Sequence, residues 1–314
     1  MTQPLISIIT VIYNGAATFE RTIQSVIGQT YPRFEYIIVD GGSTDGTLAI
    51  IDTYRSHIAK FVSEADKGVY DAMNKGITMA SGDWLFFLGA DDILYDNEVL
   101  ASVAGAFGGL ASPLGLLYGN VVGPSYKGVY DGAFTFEKLL SKNISHQAIF
   151  YTRKLFDRIG HYNLRYKAYA DWDFNIRCFA DNNVQTAHLD RIIAEFGEGG
   201  LSSRHDVPFL REVLIPEKLT MLAETGPRRL RHLPAYDQWW RLIRNAGIRR
   251  ADELEELARL RHFGETASGT SVPRCLQTMA RWQSRIPVKT LRTGILSKSL
   301  MFASYLIHLL TGAI

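Results

Sequence analysis

Four short apolar runs in the first ninety residues constrain this chain more than any other feature: Leu5–Ile12, Tyr36–Val39, Phe61–Val62 and Trp84–Leu88. Each is short and almost continuously apolar, which reads as a strand buried on both faces. Helical spacing fills the gaps between them. Phe19, Ile23, Val26 and Ile27 recur at i, i+4, i+7 and i+8 and are closed by Gly28 and Pro32. Leu48, Ile50 and Ile51 mark a second helix, and Val69, Ala72, Met73 and Ile77 a third. Strands of this kind alternating with amphipathic helices imply βαβ units. The expected fold class is therefore α/β, a mostly parallel sheet flanked by helices.

Ligands of such sheets bind outside the carboxyl ends of the strands, so the residues after each run matter most. The first run is followed by Tyr13-Asn14-Gly15 and the second by Asp40-Gly41-Gly42-Ser43-Thr44-Asp45-Gly46. After the third comes Ser63-Glu64-Ala65-Asp66-Lys67-Gly68, and after the fourth Gly89-Ala90-Asp91-Asp92. Turn chemistry alone accounts for Gly, Asn and Asp at these places, but not for carboxylates gathered along one edge. Asp91 and Asp92 repel each other unless a cation or hydroxyls share the site. Mg²⁺ or Mn²⁺, which take one or two carboxylates plus phosphate oxygens, suit such a pair; a solvated turn or helix cap is the plainer reading. Asp40, beside two glycines, is placed to accept hydrogen bonds from a base or ribose, whereas Asp45 reads as a cap for the next helix.

Composition narrows the class. With 46% hydrophobic and 21% charged residues the chain is that of an ordinary globular protein. Cys178 and Cys275, its two cysteines, form neither a disulfide framework nor a metal-ligand spacing, and a reduced cytoplasmic setting is expected. The apolar run near the N-terminus is too short for a usual signal peptide. Net charge divides unevenly. Residues 1–204 hold 17 basic against 22 acidic side chains, and residues 205–314 hold 17 against 10. Beyond residue 115 the reading predicts strands at Leu116–Val122, Lys127–Asp131 and His146–Tyr151, a helix at Tyr169–Ala180, and a helical, basic chain from about Pro208.

Three sets of residues, taken together in this order, strongly resemble family-2 glycosyltransferases of the GT-A fold. They are Thr10-Val11-Ile12-Tyr13-Asn14, Val39-Asp40-Gly41-Gly42-Ser43-Thr44-Asp45-Gly46-Thr47, and Gly82-Asp83-Trp84 followed by Ala90-Asp91-Asp92. The stretch Asp66-Lys67-Gly68-Val69-Tyr70-Asp71-Ala72-Met73-Asn74-Lys75-Gly76 resembles a subgroup that builds bacterial surface polysaccharides. The resemblance covers about residues 5–204. It implies a catalytic domain over 1–204, with a donor half to about 115 and an acceptor half from 116, followed by an extension over 205–314.

By position, the resemblance puts Asp40 at the nucleotide base, most often uracil, with Thr10, Tyr13 and Asn14 beside it. Asp66 and Lys75 would line the donor pocket, Asp91 would lie near the ribose or sugar, and Asp92 would be the direct metal ligand. The first carboxylate of the family's acid motif is here Ala90. Asp171 falls at the position of the base that deprotonates an acceptor hydroxyl in inverting members, with Ala170 where the family has Glu. Asp173 is an outside candidate for the same role, and the plainer reading of both is as first-turn acids favoured by the helix dipole. His146 and Gln147 resemble an active-site edge, a lone His being as often structural. Gly200 and Ser202, in Gly199-Gly200-Leu201-Ser202, resemble a loop that closes near the diphosphate or else a plain flexible loop; His205 is an outside candidate for a further metal ligand.

The expected function is thus metal-dependent, inverting transfer of a sugar from a nucleotide-sugar, UDP-type donor. The acceptor would be a glycan or lipid-linked molecule in surface-polysaccharide assembly. Residues 299–314 carry no formally charged side chain apart from His308 and fall short of the ~20 residues that span a bilayer. Arg274, Arg281, Arg285, Lys289, Arg292 and Lys298 precede them with no acid after Glu265. An interfacial helix on the anionic inner face of the cytoplasmic membrane and a helix docked on the core or on a dimer partner fit equally. No nucleic-acid partner is expected. A sugar nucleotidyltransferase would show a basic glycine-rich phosphate loop after the first strand, and a dinucleotide-binding oxidoreductase would show G-x-G-x-x-G; this chain has neither. A non-catalytic binder of nucleotide-sugars or glycans is the rival from another class, against which Asp91, Asp92 and Asp171 stand together.

Overall fold

The structure is a computed structural model that describes residues 3–124, 128–197, 206–214 and 217. The chain divides between Arg204 and His205 into two units. In the first, strands β1 (Ile6–Ile12), β2 (Phe34–Asp40), β3 (Lys60–Ser63) and β4 (Trp84–Phe87) alternate with helices α1 (Phe19–Ile27), α2 (Thr47–Thr53) and α3 (Val69–Met79). The chain continues through β5 (Ile93–Leu94), α4 (Val99–Phe107), β6 (Gly115–Val122), α5 (Phe136–Leu139) and β7 (Ile149–Thr152). It ends this unit with α6 (Arg153–Ile159), α7 (Ala170–Ala180) and β8 (Gln185–Glu195). In the second unit the described residues form one short turn of helix, α8 (Val207–Phe209), running into a π-helical turn at Leu210–Leu214.

All eight strands form one sheet in the order β3-β2-β1-β4-β7-β6-β8-β5. The pairs β3–β2, β2–β1, β1–β4 and β6–β8 are parallel; β4–β7, β7–β6 and β8–β5 are antiparallel. Burial on both faces explains why the first runs lack alternation. Ile6, Ile8 and Ile12 of β1 share one core with Phe19, Ile23 and Val26 of α1 and with Val99, Leu100 and Val103 of α4. Ile9 points the other way, onto α3, where Gly76 leaves it room: a Cβ at Gly76 would fall 2.5 Å from Ile9 Cγ2. Each such fully buried side chain is worth about 1.5–3 kcal/mol.

Register brings the strand ends together, since Ile12 pairs with Asp40 and Asp40 with Ser63, while Ile9 pairs with Phe87. The loops after β1 to β4 therefore open at one edge. The antiparallel β7 slots in beside β4 on a layer of rings, with Phe86 stacked on Phe150 at 4.4 Å and Trp84 on Phe107 at 3.8 Å.

Past residue 115 the observed elements depart from the sequence pattern. Of Lys127–Asp131, Lys127 lies outside the described residues and Tyr130 alone bridges to Val121. His146–Ala148 is a 3-10 turn, so β7 begins only at Ile149. Helices α5 and α6 and the strand β8 add to the expected set there, as β5 and α4 do just before residue 115. Most of β8 is half-buried, and its register against β6 shifts between Tyr118 and Val121, which blurs the period-two signal of a strand. The predicted helical, basic extension and its apolar end lie outside the described residues, apart from residues 206–214 and 217. No helix among the described residues is long and apolar enough to cross a membrane.

Candidate active site

At the β1 and β2 ends two loops are laced together. Asn14 takes a left-handed backbone, φ 51°, which Asn tolerates better than most residues. Its amide N–H donates to Ser43 Oγ (2.8 Å), and its Oδ1 accepts from Thr44 N–H (2.8 Å). Asp45 accepts from Ala16 N–H at 3.1 Å and from the backbone N–H and hydroxyl of Thr47, bracing the first turn of α2. Those bonds, the Thr47 hydroxyl first, hold its carboxyl below the usual range. Between the laced loops Tyr13 stands 64% exposed, an open ring face.

Asp40 is wholly buried. Its Oδ2 accepts from Gly42 N–H (3.1 Å), Ser43 N–H (3.0 Å) and Ser63 Oγ (2.6 Å), and its Oδ1 from Ser43 Oγ. An ionised carboxylate buried this way needs such donors, and here it ties the β2 loop to the end of β3. Thr10 is equally buried and accepts from Tyr36 Oη at 3.1 Å inside the sheet, so its side chain stays within the core. Asp66 accepts from Gly68 N–H at 2.7 Å and lies over Gly41, where a Cβ would come within 2.5 Å of its Oδ2. Lys75, on α3, pairs with Glu64 at 2.7 Å and with Asp71 at 3.9 Å, and the Glu64 bond pushes its ammonium pKa up.

The acid pair after β4 is held from behind by α1. Thr18 and Thr22 hydroxyls each donate to Ala90 O at 3.0 Å, and Thr22 also lies 2.8 Å from Asp92 O. Asp91 is exposed, while Asp92 is 4% exposed. Asp92 Oδ1 accepts from Gly197 N–H (2.9 Å) and Oδ2 from Gly89 N–H (3.2 Å). Burial pushes its carboxyl up from the usual range, and Asp91 adds to this. His146 and the two N–H groups act in the opposite direction. His146 Nε2 lies 4.0 Å from Asp92 Oδ2, and Gln147 is buried next to it in the same turn. Gly89 is what lets both acids close in: a Cβ there would sit 2.5 Å from Asp92 Oδ2 and 3.1 Å from Asp91 Oδ1. No group of three or more His, Cys, Asp or Glu side chains that could hold a metal occurs among the described residues.

Asp171, in the first turn of α7, is 7% exposed. Its Oδ1 accepts from Tyr70 Oη (2.6 Å), at the start of α3, and its Oδ2 from Asn143 Nδ2 (2.8 Å). Asp173 is occupied differently: it pairs with Arg177 at 2.9 Å, and Arg177 also donates to Ile159 O and His161 O. Burial nevertheless pushes its carboxyl up. Arg177, held by Asp173, thus fastens α7 to the end of α6. Asn143 reaches Asp171 and His146 reaches Asp92, so one four-residue segment touches both acids. Its ends are at most roughly 11 Å apart at Cα by chain reach.

The structure therefore brings Tyr13, Asn14, Asp40 and Asp66 to one loop cluster, and Asp92 to His146. Gly200, Ser202 and His205 lie outside the described residues. Tyr70, Asn143, Gly89, Gly197 and Thr22 join the site without having been singled out. Tyr70 and Gly89 stood inside loop motifs that were already visible, whereas nothing local marks Asn143.

Solved structures of GT-A glycosyltransferases share this fold. The model of glycosyl transferase family 2 matches residues 7–170, and the chain belongs to that family of enzymes. A PGL/p-HBAD biosynthesis glycosyltransferase of Mycobacterium bovis BCG is 45% identical over 225 residues, covering 70% of this chain and 88% of that protein. In fold, the chain is similar to Staphylococcus aureus TarS in complex with UDP-GlcNAc. The TM-score is 0.57 at 20% identity, over 98% of this chain and 89% of that one. It is likewise similar to the mannosyltransferase PcManGT of Pyrobaculum calidifontis in complex with GDP-Man and Mn²⁺. There the TM-score is 0.52 at 16% identity, over 99% and 87% of the two chains.

Proposed function

We propose that this glycosyltransferase moves a sugar from a UDP-type donor to a hydroxyl of a glycan or lipid-linked acceptor, with a divalent metal and inversion at the anomeric carbon. The observation that carries this reading is the Asn143–His146 segment, which joins the acid pair after β4 to Asp171. A donor-side charge cluster and a base for an incoming hydroxyl are what direct displacement requires side by side. In this reading Tyr13 offers its ring to the base, the Asp40-held loop shapes the nucleotide end, and Asp66 and Lys75 flank it. Asp171 takes the proton of the acceptor hydroxyl as its oxygen attacks the anomeric carbon on the face away from the diphosphate.

The acid pair suits a hard cation. Asp91 and Asp92 crowd onto one glycine, and burial together with the Asp91 charge disfavours ionised Asp92, a cost that a cation offsets. Held by Asp92, with Asp91 beside it toward the ribose or sugar, and by phosphate oxygens, Mg²⁺ or Mn²⁺ would neutralise the departing diphosphate. The Mn²⁺ in the PcManGT complex and the UDP-GlcNAc in the TarS complex support the ligand classes. We place the acceptor in surface-glycan assembly on the resemblance carried by residues 66–76, and the mycobacterial relative's name supports a biosynthetic glycosyltransferase. The basic, apolar-ended C-terminal segment would bring the enzyme to an anionic membrane surface.

Calorimetric titration with a panel of UDP-sugars, in Mn²⁺ and in EDTA, tests this. The expected result is binding of one donor that needs the metal, lost in Asp92→Ala, and turnover cut to a small residual rate in Asp171→Asn with donor binding kept. Full turnover in Asp171→Asn, or no binding of any UDP compound, would overturn the reading.

A further inference from the structure

We propose that Tyr70 and Asn143 are positioning residues for Asp171, and that the Tyr70 hydroxyl is a proton rotor that turns as Asp171 changes charge. This rests on the reading of Asp171 as the base for the acceptor hydroxyl. Tyr70 Oη stands between two acceptors, Asp171 Oδ1 at 2.6 Å and Ala168 O at 2.9 Å. It has one proton for both. With Asp171 ionised, the Tyr70 O–H points at the carboxylate, because a charge-assisted bond is the stronger one. When Asp171 takes the acceptor's proton, the hydroxyl can turn to Ala168 O, leaving its own oxygen free to accept from the carboxyl. Both charge states of Asp171 are then satisfied without moving a heavy atom. Burial pushes the Tyr70 phenol pKa up, the Asp171 charge reinforcing it, so the hydroxyl keeps its proton throughout.

The second oxygen of Asp171 is held by a chain whose directions follow from the carboxylate. An ionised carboxylate only accepts, so Asn143 must turn its Nδ2 to Asp171 Oδ2 (2.8 Å) and its Oδ1 away. That Oδ1 accepts from Asn175 Nδ2 at 2.9 Å, which leaves Asn175 Oδ1 to accept from Tyr151 Oη at 2.8 Å. Tyr151, on β7, and Asn175, on α7, are both wholly buried. The carboxylate thus sets the direction of every bond in the chain, and the chain in turn anchors the Asn143 donor to buried Asn175 and Tyr151, so the carboxylate is oriented before any substrate arrives. The same arrangement accepts an amide at position 171. Its oxygen would take the Asn143 donor and its NH2 would donate to Tyr70, whose proton would turn to Ala168 O.

That compatibility makes Asp171→Asn a usable background for a double-mutant test on the full chain. UDP release would be followed with the UDP-sugar chosen by calorimetry, Mn²⁺, and octyl glycosides as hydroxyl acceptors. Tyr70→Phe and Asn143→Ala should each lower kcat about tenfold or more while donor KM and donor dissociation constant stay within about twofold, the donor affinity also reporting that the variant is folded. In the Asp171→Asn background neither should lower the residual rate further, because each acts through the carboxylate. An unchanged kcat in both single variants, or an equal further loss in the Asp171→Asn background, overturns the proposal. Loss of turnover in Asp171→Asn together with normal kcat in Tyr70→Phe and Asn143→Ala overturns it while sparing Asp171 as the base. Full turnover in Asp171→Asn removes the base reading and this inference with it.

Discussion

At the scale of single residues, the acids of this site are separated by what surrounds them rather than by their type. Asp40 is saturated by four donors from its own loops, Asp92 by two backbone N–H groups, and Asp173 by Arg177. Asp91 alone among these four stands open to solvent. The residue on which the acid pair depends has no side chain. Changing Gly89 to Ala would set a Cβ 2.5 Å from Asp92 Oδ2, a distance that real contacts do not reach, and the two carboxylates would have to part. We expect Gly89→Ala to weaken donor binding in Mn²⁺ by about tenfold or more, a loss of roughly 1.4 kcal/mol, with an unchanged circular dichroism spectrum. Donor affinity equal to wild type would show that the pair tolerates the displacement.

Among the elements, α3 carries two tasks. Its first turn delivers Tyr70 to Asp171, and its middle rides on β1 at Gly76. Gly76→Ala sets two effects against each other. Alanine gains up to about 1 kcal/mol in helix propensity, whereas overpacking a filled core costs about 1–3 kcal/mol. Ile9 is wholly buried in the central strand and cannot step aside, so overpacking should win. The expected outcome is a net loss of about 1 kcal/mol in urea unfolding, and a stabilised variant would show that α3 lifts off the sheet freely. The half-buried strand β8 acts on the site differently, because its end delivers Gly197 N–H to Asp92.

At the scale of the molecule, the core holds several weak acids in protonated form. Burial raises the phenols of Tyr36, Tyr70, Tyr151 and Tyr162, and pushes the Cys178 thiol up to about 12. These groups ionise in the unfolded chain before they do so in the folded one. Above the ordinary thiol and phenol ranges, about 8.5 and 10, the unfolded state therefore binds fewer protons than the native state. Stability from this source is complete below that window and falls as pH rises through it. Urea midpoints should be level between pH 7 and 8 and drop clearly by about pH 10.5. A midpoint that holds through pH 10.5 would mean that these groups ionise in place.

The parallel half of the sheet was legible in the chain because its information is local. Runs such as Tyr36–Val39 carry their own burial signal, each ends in an acid-bearing loop, and parallel register then collects those loops by geometry alone. Family-2 glycosyltransferase membership was legible in the same motifs. The bracing of α2 by Asp45, one residue ahead of its Gly46 N-cap, and the helix opening at Asp171 likewise rest on neighbours within a few residues. Tertiary structure alone decided what each acid is bonded to. Asn143 has no pattern around it, and it matters because folding sets it 2.8 Å from a carboxylate 28 residues away. Tyr70 reads from sequence as one more aromatic in the Asp66–Gly76 motif, yet it donates across 101 residues to Asp171. Periodicity reports which face of an element is buried, but it carries no record of which buried polar groups will meet, and that pairing is set by packing between elements distant in the chain.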